Sequence, residues 1–308
     1  MRRLSVGLRL LVAASVGASS ALFTGSAKAE DPLPFVGWSA ILPPLAYQYD
    51  PTSEDDCVAG RFQCVEKVIK QMHRRFDPLA ERCDHDAVFA LAYLRTTEAY
   101  LTYARRSDFF MDARFVNHQD VVFAQMYFDA YDNWAAGRVE NVAPAWRIAF
   151  SAADDERVSG AGDLLLGINA HVNRDLPFAL AAIGMATSSG TSRKHDHDRV
   201  DAILDAVVGP LMREQAARFD PQMSRAETPY GLGYAGLLQV LVTWREAAWR
   251  HAELLQAAPD ADSRAVVAQQ IEDYAAAQAR AIEASSAYLP PLTSTQARNG
   301  FCALHGAA

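Results

Sequence analysis

The chain has 308 residues, half of them hydrophobic, and it is acidic, with 29 basic and 37 acidic residues. This composition supplies enough apolar side chains for one large core, and no linker or internal repeat divides the chain. A formal net charge of −8 excludes general nucleic-acid binding, because contacts to phosphates need a basic surface.

The first 29 residues have the pattern of a secretory signal peptide. Basic residues precede an apolar run, and Ala27 and Ala29 stand in the small-residue arrangement typical of a cleavage site. The run is too short and too rich in small residues for a stable membrane span. We therefore predict an exported chain, periplasmic or secreted, of residues 30–308. Its net charge falls to −12, because the removed segment holds four basic and no acidic residues.

All four cysteines lie in the predicted mature chain. An even number of cysteines in an exported protein predicts disulfides. Cys57 and Cys64 would close a short loop, which favours that pair and leaves Cys83 to bond with Cys302. The alternative is metal binding, because His305 follows Cys302 closely.

A helical pattern begins at Arg61, after an extended segment rich in Pro, Gly and Asp. Apolar residues that recur about every 3.6 positions predict helices at residues 61–76, 84–106, 118–136, 143–153, 161–187, 196–219, 231–257 and 262–287. The first is expected to end before Pro78, and the tail from Pro290 is expected to be irregular. No segment alternates as a strand does. We predict a single all-α domain of about eight helices.

The segment LLLGINAHVNRDLPFALAAIGM places polar residues in the middle of a very hydrophobic helix. His171 and Asp175 are four residues apart and share one face, while Asn169 and Asn173 share a roughly opposite face. Apolar residues on all sides predict burial, where an unpartnered polar group costs on the order of several kcal/mol. Pro177 favours a kink and leaves a backbone carbonyl free.

Two interpretations of this segment stay open. In one, Asn169, Asn173 and Arg174 contact neighbouring helices or line a polar pocket, and Asp175 orients His171. In the other, His171 and Asp175 bind a divalent metal such as zinc or act as an acid–base pair. An imidazole and a carboxylate four residues apart on a helix are within reach of one ion.

Three further candidates are histidines. His85 lies on the apolar face of the second helix, as a satisfied core histidine or as a metal ligand. His118, at the predicted start of the third helix, is either a cap or a ligand. In the segment RKHDHDRVD, His197 and Asp198 either cap a helix or turn inward to bind a ligand. Glu98 either forms an ion pair with the nearby Arg95 or serves as a general base.

Several of these segments carry a resemblance to a known family. The chain resembles the bacterial DUF5995 family, whose function is unknown, at CDHDAVFALAYLRTTEAY, FVNHQDVVFA, LLLGINAHVNRDLPFAL and WREAAWR. The resemblance covers nearly the whole mature chain, and the segment around His171 and Asp175 is its most specific part. It implies an all-α fold and brings no established activity.

A fainter similarity connects the chain to the zinc-dependent phospholipase C and S1/P1 nuclease group. In that group a hydrophobic helix also carries H-x-x-x-D as metal ligands, which corresponds here to His171 and Asp175 only. The following Q-P-x-H pattern is replaced by residues 176–179, LPFA, and the expected new terminus is Glu30 instead of a tryptophan. The similarity therefore does not extend to the full trinuclear zinc site.

Two functional hypotheses follow. The first is an exported metal-dependent hydrolase acting on a phosphoester, in which the metal lowers the pKa of a bound water. Its predicted metal ligands are His171 and Asp175, completed by His85, His118 or Asp198. Glu98 or Asp198 would be the base. The second is a non-catalytic exported protein whose polar centre is either a small-molecule pocket or a buried structural network.

Overall fold

The computed structural model describes residues 48–226 and 232–306. In this part of the chain there are helices, turns and two isolated β-bridges, but no strand belonging to a sheet. The all-α prediction is confirmed. The predicted signal peptide and most of the predicted extended N-terminal segment lie outside the described residues.

Ten α-helical segments occur in the described part of the chain. They are α1 (Phe62–Glu81), α2 (Ala87–Ala104), α3 (Ala113–Ala135), α4 (Pro144–Asp154), α5 (Gly160–Asn169), α6 (Leu176–Ile183), α7 (Lys194–Arg218), α8 (Leu232–Ala257), α9 (Ala261–Ser286) and α10 (Thr295–His305). All of them belong to one compact unit. None of these helices combines the length and the apolar composition that crossing a membrane requires.

A continuous helix made of α5, a π turn at Ala170–Asp175 and α6 lies at the centre. Helices α2, α3, α4, α8 and α9 pack around it. The π turn inserts one extra residue into the helix just before Pro177. Pro177 then stands in the first turn of α6, where the absence of an N–H group is tolerated. The irregularity expected at this proline thus takes the form of a π turn.

Close packing of the central helix on α2 depends on Gly167. A Cβ atom at this position would lie 2.3 Å from Cγ of Phe89, well inside van der Waals contact. The absence of a side chain lets the Phe89 ring lie directly against the backbone of α5. That ring then makes edge contacts with Tyr127, Trp146 and His171. The glycine therefore positions the aromatic group beside His171.

Two helices differ from the predicted boundaries at the ends of the chain. Helix α1 continues through Pro78 to Glu81, because Leu79 and Ala80 are buried and their packing offsets the hydrogen bond that proline cannot donate. The predicted irregular tail contains α10. Its start is capped by Ser294, whose hydroxyl accepts a hydrogen bond from the Ala297 amide at 3.2 Å.

Both predicted disulfides are present. Cys57 is bonded to Cys64, with the Cα atoms 5.1 Å apart, and Cys83 is bonded to Cys302, with the Cα atoms 5.8 Å apart. The second bond holds α10 against the turn between α1 and α2. This pairing removes Cys302 as a metal ligand. Disulfides of this kind are typical of proteins from an oxidising compartment.

Candidate functional site

A cavity of about 140 Å³ lies between α2, α3, α7, α8 and the central helix. Aromatic rings from α2 and α3 form one wall, namely Phe89, Tyr93, Tyr100 and Phe123. Aliphatic side chains form most of the remainder, among them Leu164, Ile168, Val207, Leu211 and Leu241. Protein interiors are normally close-packed, so an apolar cavity of this size between helices marks a candidate ligand site.

His171 is the polar residue of the central helix that lines the cavity. Its ring stacks on Phe123 with the centroids 3.5 Å apart and meets Tyr93 edge-on at 4.4 Å. Its Nδ1 atom lies 3.0 Å from Oδ2 of Asp175, and its buried Nε2 has no hydrogen-bond partner among the described residues. Burial lowers the pKa of His171, so the ring is neutral at pH 7. Nδ1–H then donates to the carboxylate, and Nε2 keeps a lone pair.

Asp175 is fully buried and fixes this arrangement. Besides the His171 proton, its carboxylate accepts hydrogen bonds from Trp146 Nε1 at 2.9 Å and from a terminal nitrogen of Arg174 at 2.8 Å. Arg174 also donates twice to Glu272 on α9, at 2.9 and 2.8 Å. Three donors therefore compensate the buried charge, and the network holds the imidazole in one orientation and one tautomer.

Two further polar atoms at the cavity have no hydrogen-bond partner in the described part of the chain. The hydroxyl of Tyr93 is buried, and so is Oδ2 of Asp120, although the Asp120 side chain keeps some exposed surface. Burial raises the pKa of Asp120 to about 7. Burial and the nearby carboxylates of Asp120 and Asp175 raise the pKa of Tyr93 well above its ordinary value, so it stays a phenol. Each unpartnered polar atom is costly unless a bound molecule satisfies it.

Arg245 also lines the cavity, but its charge is already engaged. Its Nε donates to Oδ1 of Asp201 at 2.7 Å, and a terminal nitrogen donates to the carbonyl oxygen of His197. Burial lowers the pKa of Arg245, a direction that Asp201 opposes, and a guanidinium remains charged in proteins. The arginine therefore connects α7 and α8 and presents no unpaired cation to a ligand.

Comparison of the sequence with protein-family models gives one match. A family model described as a family of unknown function, DUF5995, matches residues 65–285, which include the central helix and the cavity. The chain belongs to the DUF5995 family. No curated protein and no solved structure matches the chain. The fainter similarity to the zinc-dependent phospholipase C group has no support from these comparisons.

The predicted metal ligands of this DUF5995 protein do not converge. His85 Nδ1 lies 2.8 Å from Oδ2 of Asp163, both buried, and His118 Nδ1 lies 2.9 Å from a backbone carbonyl of the disulfide loop. Burial raises the pKa of Asp163 to about 6. Among residues 48–226 and 232–306, no three His, Cys, Asp or Glu side chains are grouped to hold a metal ion. The prediction that His85 and His118 join His171 and Asp175 in one metal site is therefore corrected, because His85 and His118 each have a local hydrogen-bond partner.

The two predicted bases lie outside the cavity. Glu98 accepts a hydrogen bond from Arg95 at 2.8 Å in a partly exposed ion pair. Asp198 is half exposed and pairs with Lys194 one turn earlier in α7. His197 is buried beside Trp249, its ring 5.0 Å from the indole, and burial lowers the pKa of His197 well below its ordinary value. None of these predicted residues lines the cavity.

The two asparagines of the central helix connect it to α9. Asn169 donates its amide to the carbonyl oxygen of Ala275 at 2.9 Å, and Asn173 donates to Oδ1 of Asn169 at 2.9 Å. Together with Arg174 and Glu272, they form a row of polar contacts between the central helix and α9. These side chains are therefore structural contacts between helices, and the polar cavity wall is formed by His171 alone from this segment.

Sequence reasoning missed Tyr93, Asp120 and Phe123 as site residues. For Asp120 the difference lies in the residue at which the third helix begins. With a start at His118, Asp120 belongs to the first turn and suits the helix dipole. Helix α3 begins at Ala113, capped by Asp112, whose carboxylate accepts from the Phe115 amide at 3.1 Å. Asp120 is then two turns inside the helix, on a face that reaches the cavity.

Proposed function

We propose that this protein binds a small, largely apolar molecule in the cavity, with a polar group of that molecule placed against His171. The observation that carries the proposal is the cavity itself, because it combines an apolar wall with unpartnered polar atoms on His171, Tyr93 and Asp120. Burial of apolar ligand surface would supply most of the affinity, at about 25 cal/mol per Å². The few polar atoms would orient the ligand.

The test is direct binding of a neutral probe, 2-phenylethanol, by isothermal titration calorimetry on the oxidised protein. Val207 lines the cavity on α7, so Val207→Phe fills part of it and is expected to weaken binding. Val266 on α9 is 58% exposed and lies away from the cavity, so Val266→Phe is the matched control with unchanged binding. Absence of saturable binding, or equal affinities in the two variants, contradicts the proposal.

The protein is also proposed to act outside the cytoplasm. Support comes from the two disulfides and from the basic, apolar and small-residue pattern of the first 29 residues. The experiment is expression of the full chain in a bacterium, followed by fractionation and N-terminal sequencing of the product. A mature chain that begins at Glu30 in the periplasm or medium is expected. Retention of the intact N-terminus in the cytoplasm contradicts export.

A second candidate function is hydrolysis, favoured by one observation. The hydrogen bond from His171 to Asp175 fixes the orientation and the tautomer of the imidazole, as a carboxylate does for a histidine general base. The Nε2 atom is then unprotonated and faces the cavity. The five predicted metal ligands form no common group in the described part of the chain, so no catalytic step is assigned to a metal. The test combines metal analysis of untagged protein with hydrolysis of p-nitrophenyl phosphate, repeated on His171→Ala and Asp175→Ala. Turnover that survives both substitutions contradicts this function.

A further inference from the structure

Among the described residues that line the cavity, the charged group without an ion-pair partner is acidic. From α3, Asp120 contributes a carboxyl group with an unpartnered oxygen, and from the central helix His171 contributes a neutral ring bonded to Asp175. From α8, Arg245 is the one cationic side chain in the cavity wall that the structure describes, and Asp201 already neutralises it. Helix α7 contributes only aliphatic side chains, and α2 only apolar groups, hydroxyls and phenols.

The hydrogen-bonding groups of the cavity favour a ligand that donates hydrogen bonds. Nε2 of neutral His171 can only accept, and an ionised Asp120 can only accept. The hydroxyl of Tyr93 both donates and accepts. Among the described lining residues, a carboxylate or phosphate group would find free donors on Tyr93 and on the amide of Gln119, and it would face the negative charge of Asp120. A ligand that donates hydrogen bonds satisfies all three groups at once.

The aromatic wall adds a third argument. Rings attract cations through their electron-rich faces, and the cavity is lined by Phe89, Tyr93, Tyr100 and Phe123. Tyr93 connects the polar groups, since its ring is 4.4 Å from the His171 ring and the charge of Asp120 helps to raise the pKa of its hydroxyl. The net charge of −8 favours the approach of cations over anions.

We propose that the cavity selects small organic amines, in which a protonated amino group donates to Asp120 and His171 while an apolar or aromatic body fills the space between α2, α7 and α8. This inference rests on the proposed binding function and narrows it to a ligand class. The buried Nε2 of His171 and the buried Tyr93 hydroxyl point to a ligand independently of the carboxylate.

The experiment compares three probes of one size, 2-phenylethylamine, 2-phenylethanol and phenylacetate, by calorimetry at pH 8 on the oxidised protein. We expect the amine to bind about tenfold more tightly than the alcohol, and phenylacetate to bind more weakly than both. Asp120→Asn is expected to weaken amine binding about tenfold while changing alcohol binding less than about threefold. The matched control is Asp129→Asn, on the same helix but exposed and bonded to Gln125.

The pH dependence of amine binding distinguishes a charge role of Asp120 from a purely structural one. In the wild-type protein the amine is expected to bind about tenfold more weakly at pH 5.5 than at pH 8, because the carboxylate gains a proton over this range. Arg245 keeps its charge over the same range because it is ion-paired with Asp201. Burial lowers the pKa of His171, which favours its neutral form in the wild-type protein and in Asp120→Asn alike. In Asp120→Asn the amine affinity is expected to be independent of pH.

The outcomes separate this inference from the binding function. Saturable binding of the alcohol with equal or tighter binding of phenylacetate than of the amine overturns the amine inference and leaves the binding function standing. A similar loss of amine and alcohol affinity in Asp120→Asn, with native near-ultraviolet circular dichroism, also overturns it. Absence of binding by all three probes overturns both.

Discussion

Replacement of Asp175 by Asn tests whether the buried network supports the fold. The side chain of Asp175 is completely buried, and its two oxygens accept hydrogen bonds from His171, Trp146 and Arg174. An amide of the same size has one acceptor oxygen and turns an NH₂ group toward at least one of these donors. It also removes one of the two carboxylates that neutralise Arg174, the other being that of Glu272.

The expected loss follows from these contacts. A hydrogen bond to a charged group contributes about 1.5–3 kcal/mol, and breaking a buried ion pair costs about 3–5 kcal/mol. Glu272 continues to neutralise Arg174, and the new amide oxygen can still accept from one donor. We therefore expect the lower part of that range, about 3–4 kcal/mol, for the decrease in the free energy of unfolding.

The measurement is urea unfolding followed by tryptophan fluorescence and far-ultraviolet circular dichroism. Asp198→Asn is the control, because it makes the same chemical change in a half-exposed ion pair with Lys194 one helical turn away. Exposed pairs contribute about 0–1 kcal/mol, so we expect the control to lose less than about 0.5 kcal/mol. A loss below about 1 kcal/mol in Asp175→Asn, or equal losses in both variants, would refute the network as described.

Three further predictions concern packing, cross-linking and acidity. Gly167→Ala is expected to lower stability by about 1–3 kcal/mol, because the new methyl would lie 2.3 Å from an aromatic ring carbon. Gly300→Ala, whose methyl meets no atom within 4 Å, should raise stability slightly, and similar effects of the two changes would contradict the packing argument. Replacing Cys83 and Cys302 by Ser should lower the unfolding free energy by about 2–5 kcal/mol, more than loss of the short-loop disulfide, because the closed loop spans 219 positions. For Asp120, the pKa raised to about 7 from 3.8 means that the native state holds a proton that the unfolded state has lost. Wild-type stability should therefore fall as pH rises from 5 to 8, and Asp120→Asn should lose less over that range, by about 2–3 kcal/mol. Identical pH profiles in urea unfolding would show that Asp120 is not buried in this way.

Local patterns gave correct predictions where neighbours in sequence are neighbours in space. Residues four apart on a helix meet whatever the rest of the fold does, so His171 was correctly placed beside Asp175 and Asn169 beside Asn173. The short separation of Cys57 from Cys64 likewise predicted their bond. Helical periodicity also located most helices, because an apolar stripe repeats within each one.

Helix ends were predicted less well, because packing moves them. Pro78 is inside α1, since burial of the next two residues outweighs the lost hydrogen bond. The tail expected to be irregular contains α10, which the bond between Cys302 and Cys83 holds against the domain. The start of α3 moved from His118 to Ala113, and this shift changed the interpretation of Asp120 from a helix-end charge to a cavity group.

By itself, the sequence determined an all-α domain with a buried polar centre at His171 and Asp175, together with its two disulfides, because these features depend on periodicity, hydrophobicity and spacing along the chain. Only the tertiary structure decided what those polar groups face. The cavity is bounded by five helical segments whose lining residues run from Phe89 to Arg245, and Tyr93, Asp120 and Phe123 reach it because of how those helices pack. Long-range packing leaves no local pattern, so the sequence alone could not place His171 at an apolar cavity with a few polar atoms.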